Sequence, residues 1–578
     1  MKFFSSSLII LFLLICVGIH AQSAWNALGD TLTVIQMPIL NVPAIHIPGE
    51  TMTIVCIAPQ STSNWHAELI HKAKTIPLQV ISTQFVSTPD RWLIDTIIPN
   101  VPVFEQYNLR VTASGGIDDT TQNAVNLIPS RKTSYYFAHV TDTHLPTRIY
   151  YPDAGYNTDS LSVNDFRAVI EDINLIRPEF VLLTGDLVNE GEMESLAGQY
   201  WYGWAQRIIG LIEVPVFLTN GNHDIGGWNS TPGPQGSSRR HWWRYFGWPW
   251  LNNSNSTWGL FTQDYSFTYG DIHYIGLESY INYDNWRANI YGGQSFIYSQ
   301  MTWLNTQLAL HQDKTKVLFY HYDFGDQLNL SSLGAQMGIW GHVHYNTGNM
   351  SNPPYNLGTR SVCDGNRSYR IVRVNGANVQ PLSTIYAGNS GNNLNIAYYP
   401  ANNAIADSVL AIFSNNQNVA FEYAMIKFNM PSGNDIYTVT NGVMEQIDRS
   451  GAFNVCYVRV NMAANSVKYV SIKATANTAN DDPTNVPAAN PIRSVYPNPF
   501  SDRLSILLDS ARGSRLEVKV YNLRGERVRD LIVPAVDGIS SLEWDGTNER
   551  GERLPGGIYL IRATTGRQSY VQKVVKSR

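Results

Sequence analysis

The chain is 578 residues long, 44% apolar and 12% aromatic, which is too much for one hydrophobic core and enough for about three to five domains. Its formal net charge is -5, its pI is near 6.2, and no basic stripe interrupts the sequence. A nucleic-acid-binding patch is therefore excluded from the expectations.

The chain opens "MKFFSSSLIILFLLICVGIHAQS": one Lys, an apolar run from Leu8 to Ile19, then Ala21 as a small residue suited to cleavage. This predicts a secretory signal peptide over residues 1–21. The run is shorter than the roughly 20 residues that a membrane-spanning helix needs, so no transmembrane anchor is expected from it. Cys16 follows the bulky Ile15, which argues against lipid modification there. The remaining cysteines, Cys56, Cys363 and Cys456, are odd in number and scattered. They set no disulfide framework and leave open either one bridge, Cys363 to Cys456, or buried free thiols.

From 22 to 132 the sequence runs in short β-branched stretches such as "TMTIVCIA", "WLIDTII" and "YNLRVTA", separated by Pro, Gly, Asn and Ser. The alternation predicts an immunoglobulin-like or fibronectin-like β-sandwich. At "SYYFAHVTDTH" the pattern changes, and over 133–375 near-continuous apolar strands alternate with helical stretches. One helix is predicted in "LSVNDFRAVIEDINLIRPEF", where Phe166, Val169, Ile170, Ile173 and Ile176 recur at helical spacing and Pro178 ends the run. The runs "FVLLTGD", "VPVFLTNG", "IHYIGLES", "KVLFYHYD" and "MGIWGHVH" supply further strands, each ending in polar residues. Buried strands of an α/β layer have this form, and ligands collect at their carboxyl ends. Residues 376–474 return to strand signals and predict a further β-rich domain, followed by a polar linker over 475–493. The fold class expected is therefore multidomain, α/β plus all-β, with a central α/β domain flanked by β-sandwiches.

The last stretch, 494–578, alternates in the manner of a compact β module. It carries "YPNP" near its start, "GGIYLIR" and the basic end "KVVKSR". Through these motifs it resembles the C-terminal sorting domain of type IX secretion. The resemblance implies handling by the type IX secretion machinery, passage across the outer membrane, and release or attachment at the cell surface.

The polar strand ends form a constellation. Asp142 and His144 stand two apart in "DTH", so on an extended segment both point the same way. Asp186 lies in "TGDL", Asn222, His223 and Asp224 in "GNHD", His321 in "FYHYD", and His342 and His344 in "GHVH". Imidazole and carboxylate are ligands that suit Zn, Fe and Mn, and several of them on different strands can surround two ions. His139 and His273, lone within apolar strands, read instead as core groups. "GNSG" at Gly388 lacks the spacing of a nucleophile elbow, so a serine hydrolase fits poorly.

The order D-x-H, G-D, G-N-H-D, lone H, G-H-x-H, together with "YSFTYGDIHYIGLES", resembles the calcineurin-like metallophosphoesterases over roughly 133–375. Any one of these motifs is weak, whereas five in order are specific. The resemblance implies a first metal on Asp142, His144 and His344 and a second on Asn222, His321 and His342, with Asp186 bridging. It implies two divalent or mixed-valence ions (Mn, Fe or Zn) and attack of a metal-bridging hydroxide on a phosphomonoester or phosphodiester. His223 would reach the phosphate and the leaving group, and Asp224 would hydrogen-bond its imidazole. Two divalent ions carry four positive charges; Asp142, Asp186 and a hydroxide remove three, leaving a site attractive to an anion. Purple acid phosphatases have a Tyr ligand three residues after the bridging Asp, and here that position is Asn189, so the iron-tyrosinate subgroup is not expected. The competing expectation is a surface interaction protein whose central domain is a degenerate phosphoesterase scaffold.

Overall fold

The computed structural model describes residues 33–87, 90–146, 161–189, 196–225, 242, 245–246, 251–253, 260–279, 295–388, 393–433, 436–474, 491–510, 516–533, 538–565 and 568–577. The expected signal peptide, most of the linker and most of the Trp-rich stretch "RRHWWRYFGWPWL" (239–251) lie outside them. The chain divides into two units, Met1–Ala476 and Asn477–Arg578.

In the first unit the early β-branched runs pair in the order Ile35–Met37, Thr51–Cys56, Asp90–Ile97, Lys74–Ser87, His66–His71, Gln106–Ala113, Ile117–Leu127 and Ala44–His46. Lys74–Ser87 joins the two halves of this order. Its first residues pair with His66–His71, and from Gln79 onward it pairs with Asp90–Ile97. The two halves bury Ile54, Ile94, Leu69, Leu109 and Val111 in a shared core.

The central region supplies the elements that matter for the site. In chain order they are β1 (Ser134–Val140), α1 (Leu161–Ile176), β2 (Val181–Thr184), α2 (Leu196–Ile209), β3 (Val216–Thr219), α3 (Asn222–Ile225), β4 (Tyr265–Tyr269), β5 (Ile272–Leu277), α4 (Tyr298–Leu310), β6 (Thr315–Tyr320), β7 (Met337–Trp340), β8 (Tyr355–Gly358), β9 (Ser368–Asn375) and β10 (Asn378–Tyr386). One sheet runs β3-β2-β1-β9-β10, with β1, β2 and β3 parallel. The other runs β4-β5-β6-β7-β8, with β5 to β8 parallel.

The strands are apolar on both faces because each face meets a different layer. Along β1, Tyr135 and Phe137 join the core between the sheets, while Tyr136, Ala138 and Val140 join the core under α1 and α2. Along β6, Val317 and Phe319 face the first sheet, and Leu318 and Tyr320 pack with Leu304 of α4. The order is helix, sheet, sheet, helix. Aromatic rings lock the two sheets: Phe217 stacks on Phe267 at 3.6 Å between centroids, and Phe137 meets Tyr274 edge-on at 5.5 Å. All five apolar residues that predict α1 from the sequence are buried in its core.

Residues 394–474 form a four-stranded and a three-stranded sheet, and their core is continuous with that under α1. The second unit is a separate pair of sheets around Phe500, Leu504, Ile506, Val520, Trp544 and Ile561. No described helix is long and apolar enough to cross a membrane. Cys56, Cys363 and Cys456 are buried free thiols, which settles the alternative left open above.

Candidate metal centre

Every residue singled out as a ligand follows the carboxyl end of a strand in one of the two facing sheets. Asp142 and His144 come just after β1, Asp186 after β2, Asn222 after β3, His321 directly after β6, and His342 and His344 after β7. The parallel direction of β1, β2 and β3, and of β6 and β7, brings all these ends to one edge of the sandwich. Five of the seven have positive φ: Asp142 (53°), His144 (45°), Asp186 (48°), His342 (68°) and His344 (60°). Such backbone is uncommon for residues with a Cβ and costs on the order of 1 kcal/mol or more each, so a cluster of five marks a site where side-chain direction outweighs backbone comfort. The motif glycines have a related cause. A Cβ on Gly221 would run into the Asp186 carboxylate, and one on Gly341 into Thr141 and Asp142.

The donor atoms fall into two groups that share one oxygen. In the first, His144 Nε2 lies 3.2 Å from His344 Nε2 and 3.6 Å from Asp186 Oδ2, and His344 Nε2 lies 3.4 Å from Asp142 Oδ1. In the second, His321 Nε2 lies 3.2 Å from Asp186 Oδ2, 3.1 Å from Asn222 Oδ1 and 3.2 Å from His342 Nδ1. Asn222 Oδ1 and His342 Nδ1 are 3.1 Å apart. Donors about 2.1 Å from a common ion at octahedral or tetrahedral angles stand about 3.0–3.4 Å from one another. Six of the seven separations lie in that range and His144 to Asp186, at 3.6 Å, is slightly wider, so the residues fit two ions with Asp186 between them. Asp142, His144, Asp186, Asn222 and His321 are buried, while His342 and His344 are half-buried.

Neighbours orient these groups. His321 Nδ1 donates to the Thr184 carbonyl at 2.8 Å, His144 Nδ1 to Asn189 Oδ1 at 3.2 Å, and His344 Nδ1 to Asp364 Oδ2 at 2.9 Å. With each Nδ1 so engaged, all three rings turn Nε2 inward, where loss of its proton would expose a lone pair to an ion. The Nε2 atoms of His144 and His344 face each other at 3.2 Å, a spacing that a proton or a metal ion between them accommodates. The carboxylates are held too: Asp142 accepts from His342 N at 2.9 and 3.1 Å, and Asp186 Oδ1 accepts from His223 N at 3.0 Å.

Burial opposes ionisation of Asp142, but the His344 imidazole outweighs it and holds the carboxyl down at about 2. Asp186 is likewise driven well below the usual range, against burial, chiefly by His321 and His223. His321 is raised to about 9 because the Asp186 carboxylate overcomes the cost of burying its cation. His144 is pushed well down by burial and by His223, and His342 falls to about 4 through burial and His321. The acids are thus anionic at neutral pH and two imidazoles stay uncharged, as ligands must be.

His223 and Asp224 diverge from expectation. His223 is half-buried, with its ring edge-on to His144 at 4.8 Å between centroids, but its Nδ1 donates to the carbonyl oxygen of Asn189. Asp224 does not take that proton. Its Oδ2 accepts from Gly221 N at 2.7 Å and its Oδ1 from Val188 N at 3.0 Å. Residues 222–225 form a helical turn, on which successive side chains point about 100° apart, so the two neighbours cannot face each other. Asp224 instead ties the loop carrying Asn222 and His223 to the loop carrying Asp186 and Asn189.

Sequence reasoning found Asn189 only as a missing tyrosine; its side chain and carbonyl in fact hold two imidazoles. It missed Asp364, which stands 20 residues beyond His344 in a loop with no motif of its own. His139 is buried beneath the site between Thr184 Oγ1 and Thr359 Oγ1, each at 2.8 Å, and His273 bonds Thr268 at 2.8 Å.

Residues 135–346 match the family model of the calcineurin-like phosphoesterases, and residues 494–577 match that of the secretion system C-terminal sorting domain. The first match supports a phosphoesterase that uses divalent metal ions; the second indicates a protein secreted or held at the cell surface and handled by the secretion machinery. No curated protein matches the chain. Among solved structures, it is similar to a purple acid phosphatase from yellow lupin (Lupinus luteus) seeds, at 12% identity over 63% of this chain and 69% of that one, with a TM-score of 0.35. It is also similar to a dimetal phosphatase from Danio rerio, at 13% identity over 44% of this chain and 99% of that one, with a TM-score of 0.31.

Proposed function

We propose that the protein hydrolyses phosphomonoesters or phosphodiesters outside the cell at a binuclear centre. Asp142, His144, Asp186 and His344 hold one ion, and Asp186, Asn222, His321 and His342 hold the other. The observation that carries this is the sharing of Asp186 Oδ2 between two donor sets, 3.6 Å from His144 Nε2 and 3.2 Å from His321 Nε2. Bound there, two ions of Mn, Fe or Zn supply Lewis acidity and an activated water for in-line displacement at phosphorus.

The side chains divide the remaining work. Asn222 contributes a neutral amide oxygen, so the second site keeps more affinity for an anion than a carboxylate in its place would leave. As the imidazolium, with a proton on each nitrogen, His223 hands the Nε2 proton to the departing oxygen and becomes neutral, while its Nδ1–H stays on the Asn189 carbonyl and fixes the ring's direction. Asp224 acts through His223 and Asn222 by anchoring their loop.

Mature protein loaded with Mn or Zn should hydrolyse p-nitrophenyl phosphate or its bis ester. Inactivity on both with two ions bound would refute this function and favour the interaction protein with a degenerate scaffold.

A further inference from the structure

We propose that Asp364 is a positioning residue for the first metal site, taking the Nδ1 proton of His344 so that Nε2 is presented to the ion with a negative charge behind the ring. The inference rests on the assignment of His344 as a ligand of that site. It concerns a residue outside 135–346, the stretch that matches the phosphoesterase family.

The geometry distinguishes His344 from the other imidazoles. His321 and His144 direct Nδ1 to neutral oxygens, of the Thr184 carbonyl and the Asn189 amide, and His223 directs its own to a carbonyl as well. Among the described residues, His344 is the imidazole of this cluster whose Nδ1 meets a carboxylate, at 2.9 Å. The two side chains are 18% and 14% exposed, so water screens the pair little. A carboxylate on Nδ1 polarises the ring, makes Nε2 a better donor to a cation and excludes the other tautomer.

The loop that carries Asp364 is built for this placement. Val362 N donates to the Thr141 carbonyl at 3.0 Å and Cys363 N to the Asp142 carbonyl at 3.1 Å, so the chain enters the loop in register with the segment that supplies Asp142. Asp364, Gly365 and Arg367 then all have positive φ, of 61°, 68° and 50°. From α1, Asp165 accepts from Gly365 N at 2.9 Å and from Arg367 Nε at 2.7 Å, closing the turn from outside. The loop therefore has anchors that do not involve the Asp364 carboxylate. The turn is thus held by contacts other than the Asp364–His344 pair, and replacing the carboxylate need not undo it.

The test uses the full mature protein stripped of metal, with Asp364→Asn and Asp364→Ala beside the parent. Binding of Mn²⁺ or Zn²⁺ is measured by competition with a chelator, and melting of the metal-free forms is followed in parallel. Asn keeps a neutral acceptor and Ala keeps none, so one of the two dissociation constants should weaken by roughly 10- to 100-fold in Ala and by less in Asn, the other changing little. Metal-free Asp364→Asn should melt with the parent. Two ions bound by both variants with the parent's constants would overturn the inference while leaving the binuclear site in place. Equal weakening of both ions, or a lower metal-free melting temperature in Asp364→Asn, would show a loop support only and would overturn it too. A parent that binds fewer than two ions would sink the binuclear reading itself.

Discussion

Asp172 provides a test of the scaffold behind the site. It lies on α1, is almost fully buried, and accepts a hydrogen bond from the Tyr369 hydroxyl at 3.0 Å. Burial raises its carboxyl from 3.8 to about 7. The folded protein therefore holds a proton that the unfolded chain has released over the interval from about pH 4 to about pH 7. Stability from this group is fully present below the unfolded value and is lost as pH rises through the folded one, at about 1.4 kcal/mol per pH unit. Over the interval the loss is on the order of 4 kcal/mol, an upper bound because it assumes that the buried carboxyl meets no water. Asp172→Asn keeps an acceptor for Tyr369 and removes the ionisation. Denaturant unfolding at a series of pH values should show the variant gaining on the parent from pH 4 to 8 and exceeding it at pH 8 by a few kcal/mol. The slope will not vanish, because burial also holds Asp264 at about 7. Parallel pH profiles, or a variant less stable at pH 8, would refute the argument.

Two further outcomes test the centre. Asp186→Ala should lower occupancy of both ions, whereas His321→Ala should mainly empty the second site; metal analysis of the two proteins distinguishes them, and full occupancy in Asp186→Ala would overturn the shared-ligand geometry. His223→Ala should cost roughly 10²- to 10⁴-fold on an alkyl phosphoester and much less on a p-nitrophenyl ester, whose leaving group needs little protonation. Equal losses at matched metal content would mean that His223 does not act as the acid.

What could be read from the sequence follows from what each residue depends on. The proposed ligands were findable because chemistry limits them to His, Asp and Asn, and because strand ends bring them together whatever the loops do. α1 was findable because Phe166, Val169, Ile170, Ile173 and Ile176 lie on one face of a helix. The partners of Asp224 and His223 were not, since adjacency in the chain says nothing of direction once the chain turns helical. Asp364 was hidden for another reason. It reaches His344 only through three positive-φ residues and the grip of Asp165, and such a path leaves no periodicity to read.

The ligand groups are also where the two sheets are joined. The first group draws Asp142, His144 and Asp186 from the ends of β1 and β2 in one sheet and His344 from the end of β7 in the other. The second draws Asp186 and Asn222 from the first sheet and His321 and His342 from the second. Each ion would bridge the sandwich at the edge where strained backbone and two buried carboxylates converge, and among the described residues Cys56, Cys363 and Cys456 are free thiols and supply no covalent link. Metal binding and sheet packing would then be one equilibrium: bound ions would offset the backbone cost at Asp142, His144, Asp186, His342 and His344, while the aromatic interlock of Phe217, Phe267, Phe137 and Tyr274 keeps the two halves of each site within reach of one another.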